Sequence, residues 1–138
     1  MSAPVPEITD LNRPYWDGLN EGRLLVQWCA SCGHTWLPPR PTCPACLAPD
    51  AHWRQSNGTG RIISWVVYHR AYADHLEDRI PYDVTLVELD DGVRLLTNVI
   101  DSDAGKALRV GARVRLAIEH QEGIALARFR LDKGGEDT

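Results

Sequence analysis

The chain has 138 residues, a formal net charge of −4 and a pI near 5.7, with 43% apolar and 25% charged residues. That length suits one ordinary domain or two small ones, and the composition excludes wholesale disorder. The acidic balance argues against a protein held on nucleic acid by bulk electrostatics, and no apolar run approaches the roughly 20 residues of a membrane-spanning helix.

Residues 1–8, with Pro4 and Pro6, read as a loose lead-in. Asn12 as N-cap and Pro14 in the first turn then predict a short helix over about 12–21, stopped by Gly22. Tyr15, Trp16 and Leu19 share one of its faces, which either packs on the core or docks a partner chain. Leu24–Trp28 and Thr35–Leu37 read as short strands, and Asn57-Gly58-Thr59-Gly60 marks a module boundary. Strand patterns follow over Arg61–Arg70, Tyr82–Leu89 and Val93–Ile100, the last two joined by the hairpin signal Asp90-Asp91-Gly92. Asp103–Leu108 is expected to form a turn or two of helix capped by Asp101 or Ser102. Ala112–Glu119 alternates cleanly, and Gln121-Glu122-Gly123 turns the chain into Ile124–Leu131. Asp132–Thr138 reads as a frayed tail. Three strands, a short helix and two strands are the element count of an OB-fold, a five-stranded Greek-key barrel, which other small barrels share. The expected organisation is a helix and metal-clamped ribbon over 1–58 and a barrel over 59–138, neither with a large core.

All four cysteines lie between residues 29 and 46, and all five tryptophans lie in the first half. Cys29-Ala-Ser-Cys32-Gly33 and Cys43-Pro-Ala-Cys46 form two C-x2-C knuckles ten residues apart. Each knuckle aims two sulfurs at one point, and four thiolates in a tetrahedron suit Zn²⁺. With every position filled by protein, such a metal is structural and activates no water. A rubredoxin-type iron site is chemically open to the same donors, and His34 or His52 could replace a thiolate. The N-terminus shows neither the basic start nor the apolar core of a signal peptide, so a cytoplasmic chain with reduced cysteines is expected rather than disulfides.

The segment from His69 to Asp78 carries His69, Asp74, His75, Glu77 and Asp78, either a polar surface loop or a source of acid/base groups or metal ligands. Arg113 and Arg115, with Arg128 and Arg130 on the expected hairpin partner, form a local basic patch that Lys106 and Arg109 extend. It could hold a phosphorylated ligand or an acidic partner surface, or be an ordinary solvated face. Stacking aromatics are scarce on these later strands, which weakens a single-stranded nucleic-acid reading.

The layout resembles the zinc-ribbon plus OB-fold family first catalogued as domain of unknown function thirty-five. The resemblance rests on Pro14-Tyr15-Trp16, Gly22-Arg23-Leu24, the Cys29/Cys32 pair, Leu37-Pro38-Pro39-Arg40, Cys43-Pro44-Ala45-Cys46 and Gly58-Thr59-Gly60-Arg61-Ile62. It continues through Pro81-Tyr82, Leu86–Gly92 and Thr97-Asn98-Val99, so that it runs from about residue 12 to 131. It implies a mainly β protein whose Cys29, Cys32, Cys43 and Cys46 hold structural zinc. It also implies a non-catalytic accessory role beside thiolase-superfamily enzymes acting on acyl-CoA: thiolases, hydroxymethylglutaryl-CoA synthases or steroid side-chain aldolases. Relatives fused to or paired with hydratase-like domains belong to the same family. No catalytic residue carries over. The resemblance adds weight to the helix face of Tyr15, Trp16 and Leu19 and to Arg40; together with Trp36 and the patch residues Arg113 and Arg115 they are the candidates for contact with the partner or with a CoA thioester at the interface. The competing expectations are a single-stranded nucleic-acid-binding module and a free-standing enzyme using the His69–Asp78 loop.

Overall fold

In a computed structural model, which describes residues 7–69, 81–121 and 123–132, the chain is mainly β with one helix among the described residues. Helix α1 spans Arg13–Asn20. Pro14 occupies its first turn, where a missing N–H costs nothing. Asn12 precedes it but makes no side-chain cap; its Oδ1 instead accepts the Thr9 N–H at 2.7 Å. The helix stops as expected: Gly22 takes φ +84°, its N–H reaches Leu19 O at 3.1 Å, and the Arg23 N–H reaches Gly18 O at 2.8 Å. These two bonds satisfy carbonyls that the helix end leaves open.

Strands β1 (Leu25–Cys29), β2 (Thr35–Trp36) and β3 (Ala51–Gln55) form an antiparallel sheet in the order β2-β1-β3. The third of these was not expected from sequence, since Ala51-His-Trp-Arg-Gln shows no apolar alternation and only pairing with β1 makes it a strand.

The second sheet contains β4 (Thr59–Tyr68), β5 (Tyr82–Leu89), β6 (Arg94–Thr97), β7 (Arg113–Gln121) and β8 (Ile124–Leu131), in the order β6-β5-β4-β7-β8. A bulge between Ile62 and Ser64 bends β4, so that β7 pairs with it only over Thr59–Arg61. Beyond β6 the chain turns to meet β8: the Thr97 hydroxyl donates to Ala127 O at 2.8 Å, and the Ile100 N–H reaches Phe129 O at 2.9 Å. The sheet thus curls on itself as a half-barrel consistent with the OB-fold.

The expected helix at 103–108 is absent. Asp103, Ala104 and Gly105 all have positive φ (54°, 55° and 86°). Ser102 does bond the Gly105 N–H, at 3.1 Å, but its hydroxyl also serves buried Asp83 at 3.0 Å. Asp83 Oδ2 further accepts the Val99 N–H at 2.9 Å, and the Thr85 hydroxyl at 2.5 Å. A Cβ on Gly105 would lie 2.5 Å from Val67 Cγ2, so the turn must press its glycine against β4. Tertiary anchoring overrides the local helical preference here.

The two sheets share one core. Leu19, Leu24 and Val26 belong to the same buried cluster as Ile62, Val87, Leu89, Val99, Val114 and Phe129. The helix and the first strand thus lend Leu19, Leu24 and Val26 to the apolar interior of the barrel. The Thr35 hydroxyl also crosses to Asp91 O at 2.7 Å.

Candidate metal centre and docking surface

The two knuckles repeat one geometry. The Gly33 N–H bonds Cys29 O at 2.7 Å, and the Leu47 N–H bonds Cys43 O at 2.8 Å. Each closing residue needs positive φ: Gly33 has +82° at no steric cost, whereas Leu47 adopts +65° with its side chain 73% exposed. Facing each other, the knuckles bring the sulfurs of Cys29, Cys32, Cys43 and Cys46 within 4.8 Å of one another. Cys29 Sγ lies 3.6 Å from Cys46 Sγ, and Cys32 Sγ lies 3.7 Å from Cys43 Sγ.

A tetrahedron with Zn–S bonds of about 2.3 Å has S–S edges of about 3.8 Å, so the donor set fits zinc. The N–H groups of Ala45 and Cys46 both point at Cys43 Sγ from 3.4 Å. Burial raises the Cys43 thiol, but these two N–H groups and the neighbouring thiols outweigh it and bring the value down to about 7. At Cys46 an Ala48 backbone bond lowers the value, while burial and the other three thiols push it up to about 12. Four sulfurs this close do not ionise together without a cation. Four cysteines gathered in a ribbon of this kind support a structural zinc, with no position left for substrate.

Behind the knuckles, buried Gln27 accepts from Trp36 Nε1 at 2.7 Å and from the Arg40 N–H at 2.6 Å. Nothing in the local sequence marked this glutamine, because its role depends on a loop returning nine to thirteen residues later. His34 stacks on Trp36 with ring centroids 5.9 Å apart, and His52 bonds Asp50 at 3.1 Å. Neither imidazole belongs to the sulfur cluster.

The other candidates divide by burial. Leu19 is fully buried in the shared core and Trp36 is 5% exposed. Tyr15 and Trp16, their rings edge to face at 5.0 Å, line a mostly apolar groove of about 450 Å³ with Pro38, Pro39, Leu95 and Leu96. Burial raises the Tyr15 phenol above its ordinary value, against the opposing charge of Arg128. Arg40 is exposed near this region. Arg113 makes a two-point ion pair with Asp90 at 2.8 and 2.9 Å, which holds the Asp90 carboxyl below its usual range. Arg115 is exposed. His69 is exposed, and Asp74, His75, Glu77 and Asp78 lie outside the described residues. A second cavity, about 340 Å³, adjoins Asp83, Asn98, Asp103, Glu119 and Arg128.

Comparison with known proteins follows this division of the chain. Residues 16–50 match the family model of the ChsH2 rubredoxin-like zinc ribbon domain, and residues 53–119 match that of the ChsH2 C-terminal OB-fold domain. A chain of the solved structure described as "Ltp2-ChsH2(DUF35) aldolase" is 33% identical, with a TM-score of 0.80 over 92% of this chain and 98% of that one. This chain belongs to the DUF35 family. Within that family it is 29% identical to a DUF35 domain-containing scaffold protein of Methanothermobacter thermautotrophicus, over 75% of this chain and 80% of the relative. It is 37% identical to a probable enoyl-CoA hydratase alpha subunit of Thermomonospora curvata, over 70% of this chain and 30% of the relative. It is also 31% identical to a 3-oxo-4,17-pregnadiene-20-carboxyl-CoA hydratase alpha subunit of Mycobacterium tuberculosis, over 73% of this chain and 31% of the relative. This DUF35 chain thus spans about a third of the length of the two hydratase subunits. Among its described residues no helix is long and apolar enough to cross a membrane.

Proposed function

We propose that this DUF35 chain is a non-catalytic, cytoplasmic accessory subunit that docks on a thiolase-superfamily acyl-CoA enzyme and helps form its acyl-CoA channel. One observation carries the reading: the match, over almost the full length of both chains, to a chain of an aldolase structure that names a DUF35 component. The chemistry agrees with it. The one cluster of metal-binding side chains found among the described residues has all four donors committed to a closed site.

Cys29, Cys32, Cys43 and Cys46 are the zinc ligands in this reading, and the ribbon and helix of residues 1–58 act with the barrel of residues 59–138. The groove at Tyr15 and Trp16 takes an apolar element of the partner. Leu19 and Trp36 support it from within, and Arg40, Arg113 and Arg115 lie toward the partner or the CoA thioester. The names of the two longer relatives favour a second reading, in which the partner is a hydratase subunit.

Co-expression with the thiolase-like and the hydratase-like products of neighbouring genes tests both, read by co-elution and by turnover of acyl-CoA substrates. The expected result is a stable complex with the thiolase-like protein and loss of its activity without this chain. Separate elution, together with full activity of the enzyme alone, removes the proposal. Elemental analysis of the complex should give about one zinc per DUF35 chain.

A further inference from the structure

On the outer face of the β7–β8 hairpin, two arginines stand directly opposite each other. The register pairs Arg115 with Arg130, and both side chains are exposed. Like charges facing each other across an antiparallel pair are destabilising. The neighbouring cations are neutralised: Arg113 is held by Asp90, and Arg128 lies 3.7 Å from Glu119. Among the described residues Arg115 and Arg130 make no ion pair or side-chain hydrogen bond, so within that set two positive charges face each other uncompensated, on a chain whose net charge is −4.

The form of the face selects among anions. Neither of the two cavities described above is lined by Arg115 or Arg130, so neither walls in a small phosphorylated ligand held by this pair. The outward positions Arg113, Arg115, Ala117 and Glu119 on β7, and Leu126, Arg128 and Arg130 on β8, include no aromatic ring for a nucleobase to stack on. A row of exposed guanidinium groups with apolar Ala117 and Leu126 beside it suits carboxylates spread over a protein surface. Helix α1, which carries Tyr15 and Trp16, packs against β8, so the arginine face and the aromatic groove lie on connected elements.

We propose that the Arg115–Arg130 face of the β7–β8 hairpin docks an Asp/Glu-rich surface of the partner enzyme subunit. This deepens the accessory-subunit reading and rests on it for the identity of the partner. The unfavourable arginine pair is then relieved in the complex, where carboxylates enter between the two guanidinium groups. It follows that reversing either charge creates an Arg–Glu cross-strand pair, which helps the free protein while harming docking.

The test uses the full chain, fluorescein-labelled decaglutamate as probe and the single variants Arg115→Glu and Arg130→Glu, with Arg54→Glu on β3 as control. The wild-type chain is expected to bind the peptide with an affinity that falls as salt rises. Each hairpin variant should bind about tenfold more weakly, with a Tm equal to or about 1–3 °C above wild type, and Arg54→Glu should bind as wild type does. Absence of wild-type binding, equal binding by the hairpin variants, or tighter wild-type binding of a ten-nucleotide single strand overturns the proposal. In the co-expressed complex the same variants should weaken co-elution at physiological salt. If the wild-type chain binds the peptide but forms no complex, the accessory reading fails and this face survives. If the complex forms and both variants leave it unchanged, this face fails and the reading survives.

Discussion

Around residues 27–50 the chain buries only Cys29, Trp36 and Cys43 as an apolar cluster of its own. The five-stranded sheet instead surrounds a continuous interior that runs from Leu19 to Phe129. In the first region order comes from converging sulfurs, backbone bonds to sulfur and the double bond of Gln27. In the second it comes from removing apolar surface from water. A chain can therefore place a ribbon beside a barrel with only a three-residue buried cluster of its own. The apolar residues that the ribbon side does contribute, Leu24 and Val26, are given to the barrel.

The largest test of this contrast is removal of the metal. Structural zinc in zinc-finger peptides is worth about 10–16 kcal/mol in apparent binding at pH 7. Chelation, or Cys43→Ser, should erase the native amide signals of residues 27–50. Signals of β5, β7 and β8 should persist, as followed by heteronuclear NMR. Simultaneous collapse of both sets would show that the shared core makes one cooperative unit and that the contrast is only spatial.

A smaller effect is expected from the other side of the comparison. Phe129 is fully buried at the point where β8 meets the segment after β6. Phe129→Ala should cost about 3–5 kcal/mol, measured by urea unfolding of the zinc-loaded protein, while zinc stoichiometry stays at that of wild type. Loss of zinc from this variant would mean that the barrel holds the knuckles in place.

The smallest effect concerns Leu47. Its φ of +65° is strained for a residue with a Cβ, and its exposed side chain recovers little burial. Leu47→Gly should raise stability by up to about 1 kcal/mol, seen as a higher urea midpoint. A lowered midpoint would show that the leucine makes a contact that compensates its backbone.

The four-cysteine centre was legible in the sequence because knuckle geometry is local: two residues between sulfurs and a turn residue after them suffice. The helix stop at Gly22 and the Asp90-Asp91-Gly92 hairpin were legible for the same reason. Strand β3 was not, since its pattern carries no alternation and its identity comes from the register with β1. The helix expected over 103–108 does not form because Asp83, nineteen residues before Ser102, captures its hydroxyl, and Val67 leaves no room for a side chain at Gly105. Leu19 shares a helix face that could pack on the core or dock a partner, and only the structure shows that it and Trp36 are inside, because a hydrophobic face says what must be covered and not by what.

By itself the sequence determined the four-cysteine cluster, the order of most strands and the family to which the chain belongs, all of which depend on neighbours in the chain. Only the tertiary structure decided that ribbon and barrel share one core, which aromatic residues reach the surface, and that Arg115 faces Arg130. Those outcomes depend on cross-strand register and on packing between distant segments, where each contact is set by geometry that no local pattern encodes.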